Sequence, residues 1–405
     1  MFKIYNYIIF LLVACTSFGN IGGAFQIERI LAILFFPWLI IRYREKGCAY
    51  SKTLIKVLAC CYLYMLMSYI WTPDNDEGIK EIVYYPIHFI LFLELIVFAR
   101  YAPFTLKSIS RGWLVAVLLC SIVAYWEITT GQHLSIAKEQ KDMMNIEGYV
   151  MQHFTASVTF FNYNSYVTYL CFSFPWIFYI LIDKGRSFIE QILALLALVM
   201  ASMVIVINAS RGGVLSIVTM LMVYYWYSEK SQIKNVTLLV VVTLLIYGLI
   251  QYGEEFTALF IARASDGGMF TDDARSVIWS NALLAFCDSF GFGVGIGGLS
   301  ASMAEYAHGG ITVTHNMFLE ILVQYGVVIL LVFLYFLLGL FRKSLRVERK
   351  RKIVIMMSLV AMPVYSIIDS GYLLNTHFFV LIASIYIFAN YELIKCPNNR
   401  IRQTA

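Results

Sequence analysis

Residues 316–341 have the sequence NMFLEILVQYGVVILLVFLYFLLGLF, and this stretch decides the fold class of the chain. Its only charged residue is Glu320, near the beginning. An α-helix of this length rises about 39 Å, at 1.5 Å per residue, which exceeds the roughly 30 Å of hydrocarbon in a bilayer. The stretch therefore predicts a transmembrane helix.

Apolar runs of similar character recur along the sequence. The chain is 60% hydrophobic and only 14% charged, whereas soluble domains carry about 25% charged residues, and its mean hydropathy is +0.75. We expect an all-α fold: a polytopic membrane helix bundle with about 12 transmembrane helices, in one integral membrane domain over residues 1–405. The predicted spans are residues 4–18, 28–41, 54–71, 82–99, 113–130, 164–182, 188–207, 214–228, 236–252, 316–341, 353–372 and 377–391.

The charged residues between these runs predict the topology. Links rich in Lys and Arg alternate with other links, among them an acidic one at residues 72–77, so that every basic link falls on one side. Basic loops stay in the cytoplasm, which predicts that both termini are cytoplasmic. The net charge of +5 thus reflects topology, and no nucleic-acid partner is expected.

Two links are too long to be simple turns, and the predicted topology puts both outside. They are residues 131–163 and residues 253–313. Long loops in compact proteins usually carry function. We expect the second loop to contain short helices and to contribute to an active site.

Ser210-Arg211-Gly212-Gly213 begins the eighth predicted span at its outer end. The N–H groups and positive dipole of a helix N-terminus attract anions. Arg211 adds a guanidinium that matches phosphate oxygens, and the two glycines allow a ligand close to the backbone. The motif therefore outlines an anion site, although by itself it is more typical of an interfacial arginine that reaches lipid headgroups.

Thr314-His315-Asn316 begins the tenth predicted span, also at its outer end, with Thr314 as the predicted N-cap. A helix N-terminus disfavours imidazolium, so we expect His315 to be uncharged and able to accept a proton. The alternative is a histidine that is simply hydrogen-bonded at a helix entry.

The second outer loop adds further candidates. Arg263 and Arg275 are its cations, and either could pair with a neighbouring acid. Residues 291–298 (GFGVGIGG) contain a formal GxGxxG but lack the strand and crossover helix of a nucleotide site, so they predict a tight turn. Acids in a long loop are usually solvated, and no metal or cofactor is expected. The acids in question are Glu254, Glu255, Asp272 and Asp273.

In chain order these motifs resemble the bacterial O-antigen ligase and polymerase family, over about residues 127–326. No single motif is specific, but their order, spacing and common side are. The motifs are Glu127-Ile128-Thr129-Thr130-Gly131-Gln132-His133-Leu134, Phe161-Asn162-Tyr163-Asn164, Ser210-Arg211-Gly212-Gly213, Arg275 ahead of Trp279, the glycine-rich turn, His315-Asn316-Met317-Phe318-Leu319-Glu320 and Tyr325-Gly326. Gln324 departs from the acid that many relatives have there, and we interpret this as a change in packing.

The resemblance implies glycosyl transfer at the outer face of the bacterial inner membrane, from a glycan linked to undecaprenyl diphosphate. On the matching positions, Arg211 and Arg275 would bind the diphosphate, and His315 would deprotonate or orient the acceptor hydroxyl. Guanidinium groups and a helix N-terminus stabilise charge on a leaving diphosphate without a metal. The supporting residues would be Ser210, Gly212, Gly213, Asn316 and Glu320.

The same resemblance leaves two activities open. A polymerase would extend O-antigen or capsular polysaccharide on a lipid-linked repeat unit, and a ligase would move the finished glycan to a lipid A core or another acceptor. We expect a polymerase, with membrane lipids, a chain-length regulator and a flippase as further partners. A transporter or flippase is the third alternative, but transporters bind cargo near the midplane, whereas these cations cluster at the outer ends.

Overall fold

The computed structural model describes residues 3–44, 49–136, 142–146, 149–153, 155–228, 272–307 and 310–395. Within these ranges the fold is all-helical apart from one hairpin, as the sequence predicts. The helices are α1 (Ile4–Ala14), α2 (Ile27–Arg44), α3 (Ala49–Ser68), α4 (Asn75–Tyr101), α5 (Thr105–Thr130), α6 (Tyr163–Ile182), α7 (Phe188–Ile207), α8 (Arg211–Tyr227), α9 (Asp272–Asp288), α10 (Leu299–Ala307), α11 (Met317–Ser344), α12 (Arg349–Tyr365) and α13 (Thr376–Lys395). Short 3-10 helices lie at Cys15–Phe18, Gly23–Phe25, Tyr69–Trp71 and Tyr372–Leu374.

Eleven of the twelve predicted spans coincide with helices, and the twelfth, residues 236–252, lies outside the described residues. Seven described helices are long and apolar enough to cross a membrane: α3, α4, α5, α6, α7, α11 and α13. One predicted boundary is wrong. The apolar run 353–372 leaves its helix at Tyr365, because residues 366–375 form an outer loop stabilised by their own backbone contacts.

Among the described residues, the basic links around Lys107, Gly185, Lys350 and Lys395 meet at one end of the bundle. Lys107 Nζ donates to the Gly185 carbonyl (2.9 Å), and Lys350 Nζ lies 3.2 Å from Asp183 Oδ1. Lys395 Nζ, beside the C-terminus of the described chain, donates to the Ala99 carbonyl at 2.6 Å. Lys107, Lys350 and Lys395 therefore mark what we call the basic end, and the opposite end is called the outer end.

The two long outer loops differ in structure. The first contains a hairpin of β1 (Asp142–Ile146) and β2 (Tyr149–His153), which pair antiparallel. In the second, the described part contains α9 and α10, which confirms the predicted short helices.

The glycine-rich segment 291–298 forms the predicted tight turn. Gly293 has a φ of +84°, and a Cβ there would lie 2.5 Å from the Gly326 nitrogen. At Gly326 helix α11 breaks its helical geometry (φ 78°, ψ 178°). Gly295 N–H donates to the Gln324 carbonyl just before that break (3.1 Å). The turn therefore docks on the kink of α11, and this contact leaves no room for a side chain.

Gly293→Ala should lower the thermal unfolding midpoint of the purified protein in detergent. A left-handed backbone costs a non-glycine residue roughly 1–3 kcal/mol, and the added Cβ also meets the α11 backbone. Gly339→Ala is the matched control, because a Cβ on this helical glycine meets nothing within 4 Å. Equal midpoints for the two variants would show that the turn does not dock on α11.

Candidate functional site

Helix α8 begins where the sequence predicts. Ser210 is its N-cap, and its Oγ accepts from the Gly213 N–H at 3.2 Å. Arg211 is the first helical residue, and its side chain is exposed. The glycines serve packing: a Cβ on Gly212 would lie 2.8 Å from Ile368, and one on Gly213 would lie 2.7 Å from side chains of two neighbouring helices. The motif thus presents a guanidinium at a capped helix N-terminus that packs tightly on its neighbours.

Helix α11 begins at Met317, and the predicted N-cap is wrong. Asn316 is the cap, and its Oδ1 accepts from the N–H groups of Phe318 (3.1 Å) and Leu319 (3.3 Å). Thr314 is instead buried, and its carbonyl accepts from Trp279 Nε1 at 3.0 Å. Trp279 belongs to α9, so this bond ties the start of α11 to the helix that begins the described part of the second outer loop.

His315 lies at the turn into α11 in a left-handed conformation, with a φ of +45°. Burial lowers the pKa of His315, and the positive charge of Arg275 on α9 lowers it further. Both effects favour the uncharged imidazole at neutral pH, and they differ from the helix N-terminus on which the sequence prediction rests. Arg275 and His315 are close enough to interact electrostatically, although they are far apart in sequence.

The N-termini of α8 and α11 both pack against one short segment, residues 366–375. We call this segment the outer loop, as distinct from the two long outer loops at residues 131–163 and 253–313. Ile368 lies against Gly212 of α8, and the Met317 N–H donates to the Ser366 carbonyl at 3.0 Å. Glu320, one turn into α11, accepts from the Gly371 N–H at 2.8 Å. The predicted supporting residue Glu320 thus holds the loop that both helix N-termini contact.

A second buried glutamate holds the chain between the hairpin and α6. Glu127 Oε2 accepts from the N–H groups of Ser157 (2.8 Å) and Val158 (2.7 Å). Asn208, just before α8, exchanges two hydrogen bonds with the backbone of Ala156, at 2.8 and 2.9 Å. Sequence reasoning singled out Glu127 but missed Asn208, whose position two residues before Ser210 was the available signal.

A third glutamate, Glu81 of α4, was also missed by sequence reasoning. Its Oε2 accepts from the Gly297 N–H (3.0 Å), the Tyr325 hydroxyl (2.8 Å) and Gln324 Nε2 (2.5 Å). It therefore fixes the glycine-rich turn and the kink of α11 together. Gln324, interpreted from the sequence as a change in packing, instead donates a hydrogen bond to this buried carboxylate.

An apolar cleft of about 140 Å³ begins beside this polar region and extends between α3, α4, α11 and α13. Ile321, next to Glu320, and Leu373 of the outer loop line its end nearest the candidate site. All sixteen lining side chains are apolar. The cleft has the surface chemistry of a site for a hydrocarbon chain.

The remaining acidic and basic candidates are only partly described. Arg263, Glu254 and Glu255 lie outside the described residues, as do the side chains of Asp272 and Asp273. In the described ranges, no three His, Cys, Asp or Glu side chains are grouped as a metal site.

Comparisons with known proteins find a match in the region that contains the candidate residues. A sequence model described as O-antigen ligase matches residues 196–334, from α7 through most of α11. This region contains Arg211, Arg275 and His315. The chain is also 26% identical, over 363 residues, to the teichuronic acid biosynthesis protein TuaE of Bacillus subtilis (strain 168). That alignment covers 82% of this chain and 72% of the relative.

Asp369→Asn should stabilise the protein at pH 7.5. Burial raises the pKa of Asp369 from its ordinary 3.8 to about 6, although Ser165, the Ser370 N–H and Asn162 hydrogen-bond to the carboxylate and lower it. Because the folded state holds the proton more tightly, the cost of ionisation grows as pH rises from 3.8 to about 6 and reaches about 3 kcal/mol. Thermal unfolding of Asp369→Asn and of the unchanged protein, at pH 7.5 and at pH 4, measures this cost of ionisation.

The gain from Asp369→Asn should be largest at pH 7.5 and shrink strongly at pH 4, where the folded state is protonated and the unfolded state, with a pKa of 3.8, is only about half ionised. Asp183→Asn at the basic end is the control, because Asp183 has an ion pair with Lys350 and its loss should destabilise at pH 7.5. A gain for Asp369→Asn that is independent of pH would contradict the buried, proton-holding carboxyl.

Proposed function

Because the chain belongs to the bacterial O-antigen ligase and polymerase family, and is a multi-pass membrane enzyme of polysaccharide biosynthesis, we propose that it is a polysaccharide polymerase. It transfers a glycan from undecaprenyl diphosphate to a lipid-linked repeat unit. The observation that carries the proposal is an arginine beside an uncharged histidine, Arg275 and His315, at the N-terminus of α11. The N-terminus of α8, with Arg211, packs on the same outer loop.

In the proposed reaction, the acceptor hydroxyl attacks the anomeric carbon of the donor sugar. The bond from that carbon to the phosphate oxygen breaks, and its electron pair leaves with the lipid diphosphate. Arg211 and Arg275 stabilise the negative charge on the diphosphate in the transition state, so that no metal is needed. His315 accepts the hydroxyl proton, and a single displacement inverts the anomeric centre.

The apolar cleft supports a lipid-linked donor. It begins at Ile321 and Leu373, beside residues that hold the outer loop, and continues between membrane-spanning helices. A lipid tail in this cleft would keep the attached diphosphate at the outer end of the bundle. Since basic loops stay in the cytoplasm, we assign the basic end and both termini to the cytoplasm, and the site to the outer face of the bacterial inner membrane.

A ligase remains the second candidate, because the matching sequence model is described as O-antigen ligase. The relative from Bacillus subtilis instead has a name that refers to teichuronic acid biosynthesis, which we take to favour chain synthesis. Deletion of the gene separates the two. A single repeat unit on the final acceptor indicates a lost polymerase, whereas long chains left on the lipid carrier indicate a lost ligase.

His315→Ala and Arg211→Ala should each abolish long-chain glycan in cells, while the protein still inserts into the membrane. Arg346→Ala, in the link between α11 and α12 at the basic end, is the matched control and should leave chain length unchanged. Electrophoresis of the surface glycan and immunoblotting of membranes measure the two effects. Normal chains in either site variant would reject the assigned residues.

The pH dependence of kcat/KM should report the uncharged state of His315. The pKa of this imidazole is lowered from 6.5, so activity should fall with decreasing pH only below pH 6.5. Arg275→Gln should move this acid limb to higher pH, because it removes a positive neighbour, even though its rate is lower. Assays with purified lipid-linked substrate test this, and an acid limb that stays in place would contradict the pairing.

A further inference from the structure

A second cleft, of about 660 Å³, lies at the outer end of the bundle between the end of α3 and the helices α9 and α10. We call it the aromatic cleft, because aromatic rings and two acids dominate its lining. It is separate from the apolar cleft and shares no lining residue with it. The residues that matter for its chemistry are Tyr64, Trp71, Asp288, Phe290, Phe292, Glu305 and Tyr306.

The aromatic rings of this cleft are positioned by their own polar atoms. Trp71 Nε1 donates to the Gly293 carbonyl (2.9 Å), and the Tyr64 hydroxyl donates to the Phe292 carbonyl (2.7 Å). The glycine-rich turn thereby fixes both side chains, yet 42% of Trp71 remains exposed. An indole whose N–H is already bonded offers a ligand mainly its apolar surface.

Phe290 extends the cleft with a ring that is 90% exposed, on a backbone with a φ of +53°. Burial of apolar surface is favourable by roughly 25 cal/mol per Å², so leaving such a ring in water forgoes stabilisation. The left-handed backbone adds a further cost. A ligand that covers the ring would recover part of the lost burial energy.

Two carboxylates face the same cleft as these rings. The Tyr306 hydroxyl donates to Asp288 Oδ2, and Glu305 lies one residue before Tyr306 on α10. Carboxylates accept hydrogen bonds from hydroxyl groups, while aromatic faces cover apolar C–H surfaces. Sugars carry both hydroxyl groups and apolar C–H faces, so a sugar matches this combination of carboxylates and aromatic rings.

We propose that the aromatic cleft binds sugar residues of the glycan at a distance from the point of transfer. Arg275 and Asp288 lie near opposite ends of α9, about 20 Å apart at 1.5 Å per residue. The proposal rests on the proposed function, since the glycan must extend from the reacting sugar across this distance. Asp288 and Glu305 would repel uronic acids, so the sugars bound there carry hydroxyl or amino groups rather than carboxylates.

Fragments of the host glycan with one repeat unit and with several repeat units are the probes. Both are prepared by partial hydrolysis and titrated against the full-length protein in lipid nanodiscs. The unchanged protein should bind the longer fragment at least tenfold more tightly. Phe290→Ala and Trp71→Ala should remove this preference, and Trp71→Phe should retain most of it because a ring remains.

Trp226→Ala is the matched control, because Trp226 is 83% exposed on α8 near the basic end. It should bind both fragments like the unchanged protein. Thermal midpoints confirm that each variant is folded, and Phe290→Ala, which alters an exposed ring, carries the test if Trp71→Ala unfolds. Equal binding of the long fragment by Phe290→Ala and the unchanged protein would overturn the proposal and leave the rings as interfacial anchors.

His315→Ala separates this proposal from the proposed function. If His315→Ala cells lack long chains but Phe290→Ala binds long fragments normally, only the aromatic cleft is refuted. If His315→Ala cells make normal chains while Phe290→Ala still loses binding, the assigned role of His315 is refuted and the cleft is supported.

Discussion

Backbone N–H groups need acceptors wherever an outer loop is buried against the bundle, because an unpaired buried amide is costly. Three buried glutamates supply them, each from a different helix. Glu127 accepts from residues 157–158, Glu81 from Gly297 and Glu320 from Gly371. The loops they hold are the ones against which the helices carrying the candidate residues pack, so the geometry of the site depends on these bonds.

Hydropathy predicts the helices well, because a membrane span must satisfy its backbone within itself and be apolar along its length. It fails at the end of α12. Tyr372 and Leu373 are as apolar as residues of a span, yet the chain leaves the helix at Tyr365. The Tyr372 hydroxyl donates to the Tyr365 carbonyl (2.7 Å), and this hydrogen bond closes a loop of seven residues that hydropathy does not encode.

The order of the motifs predicts that Arg211, Arg275 and His315 lie at the outer ends of helices, but it does not predict which groups hold them there. Glu81 follows an acidic link and looks in the sequence like one more solvated acid. In the structure it is buried beside Gln324. An acid at position 324 would put two carboxylates in one buried site, where one must hold a proton, and a neutral amide avoids this.

Glu127, Glu81 and Glu320 each bind a loop through backbone N–H groups, so that, outside the glycine-rich turn, these bonds do not depend on which side chains the loop carries. Natural variation can therefore change the side chains on the surface of these loops without breaking the backbone hydrogen bonds that hold the loops in place. A single helical scaffold of this kind is suited to diversification, in which new carbohydrate preferences arise from changes at the surface while the reactive centre keeps its architecture.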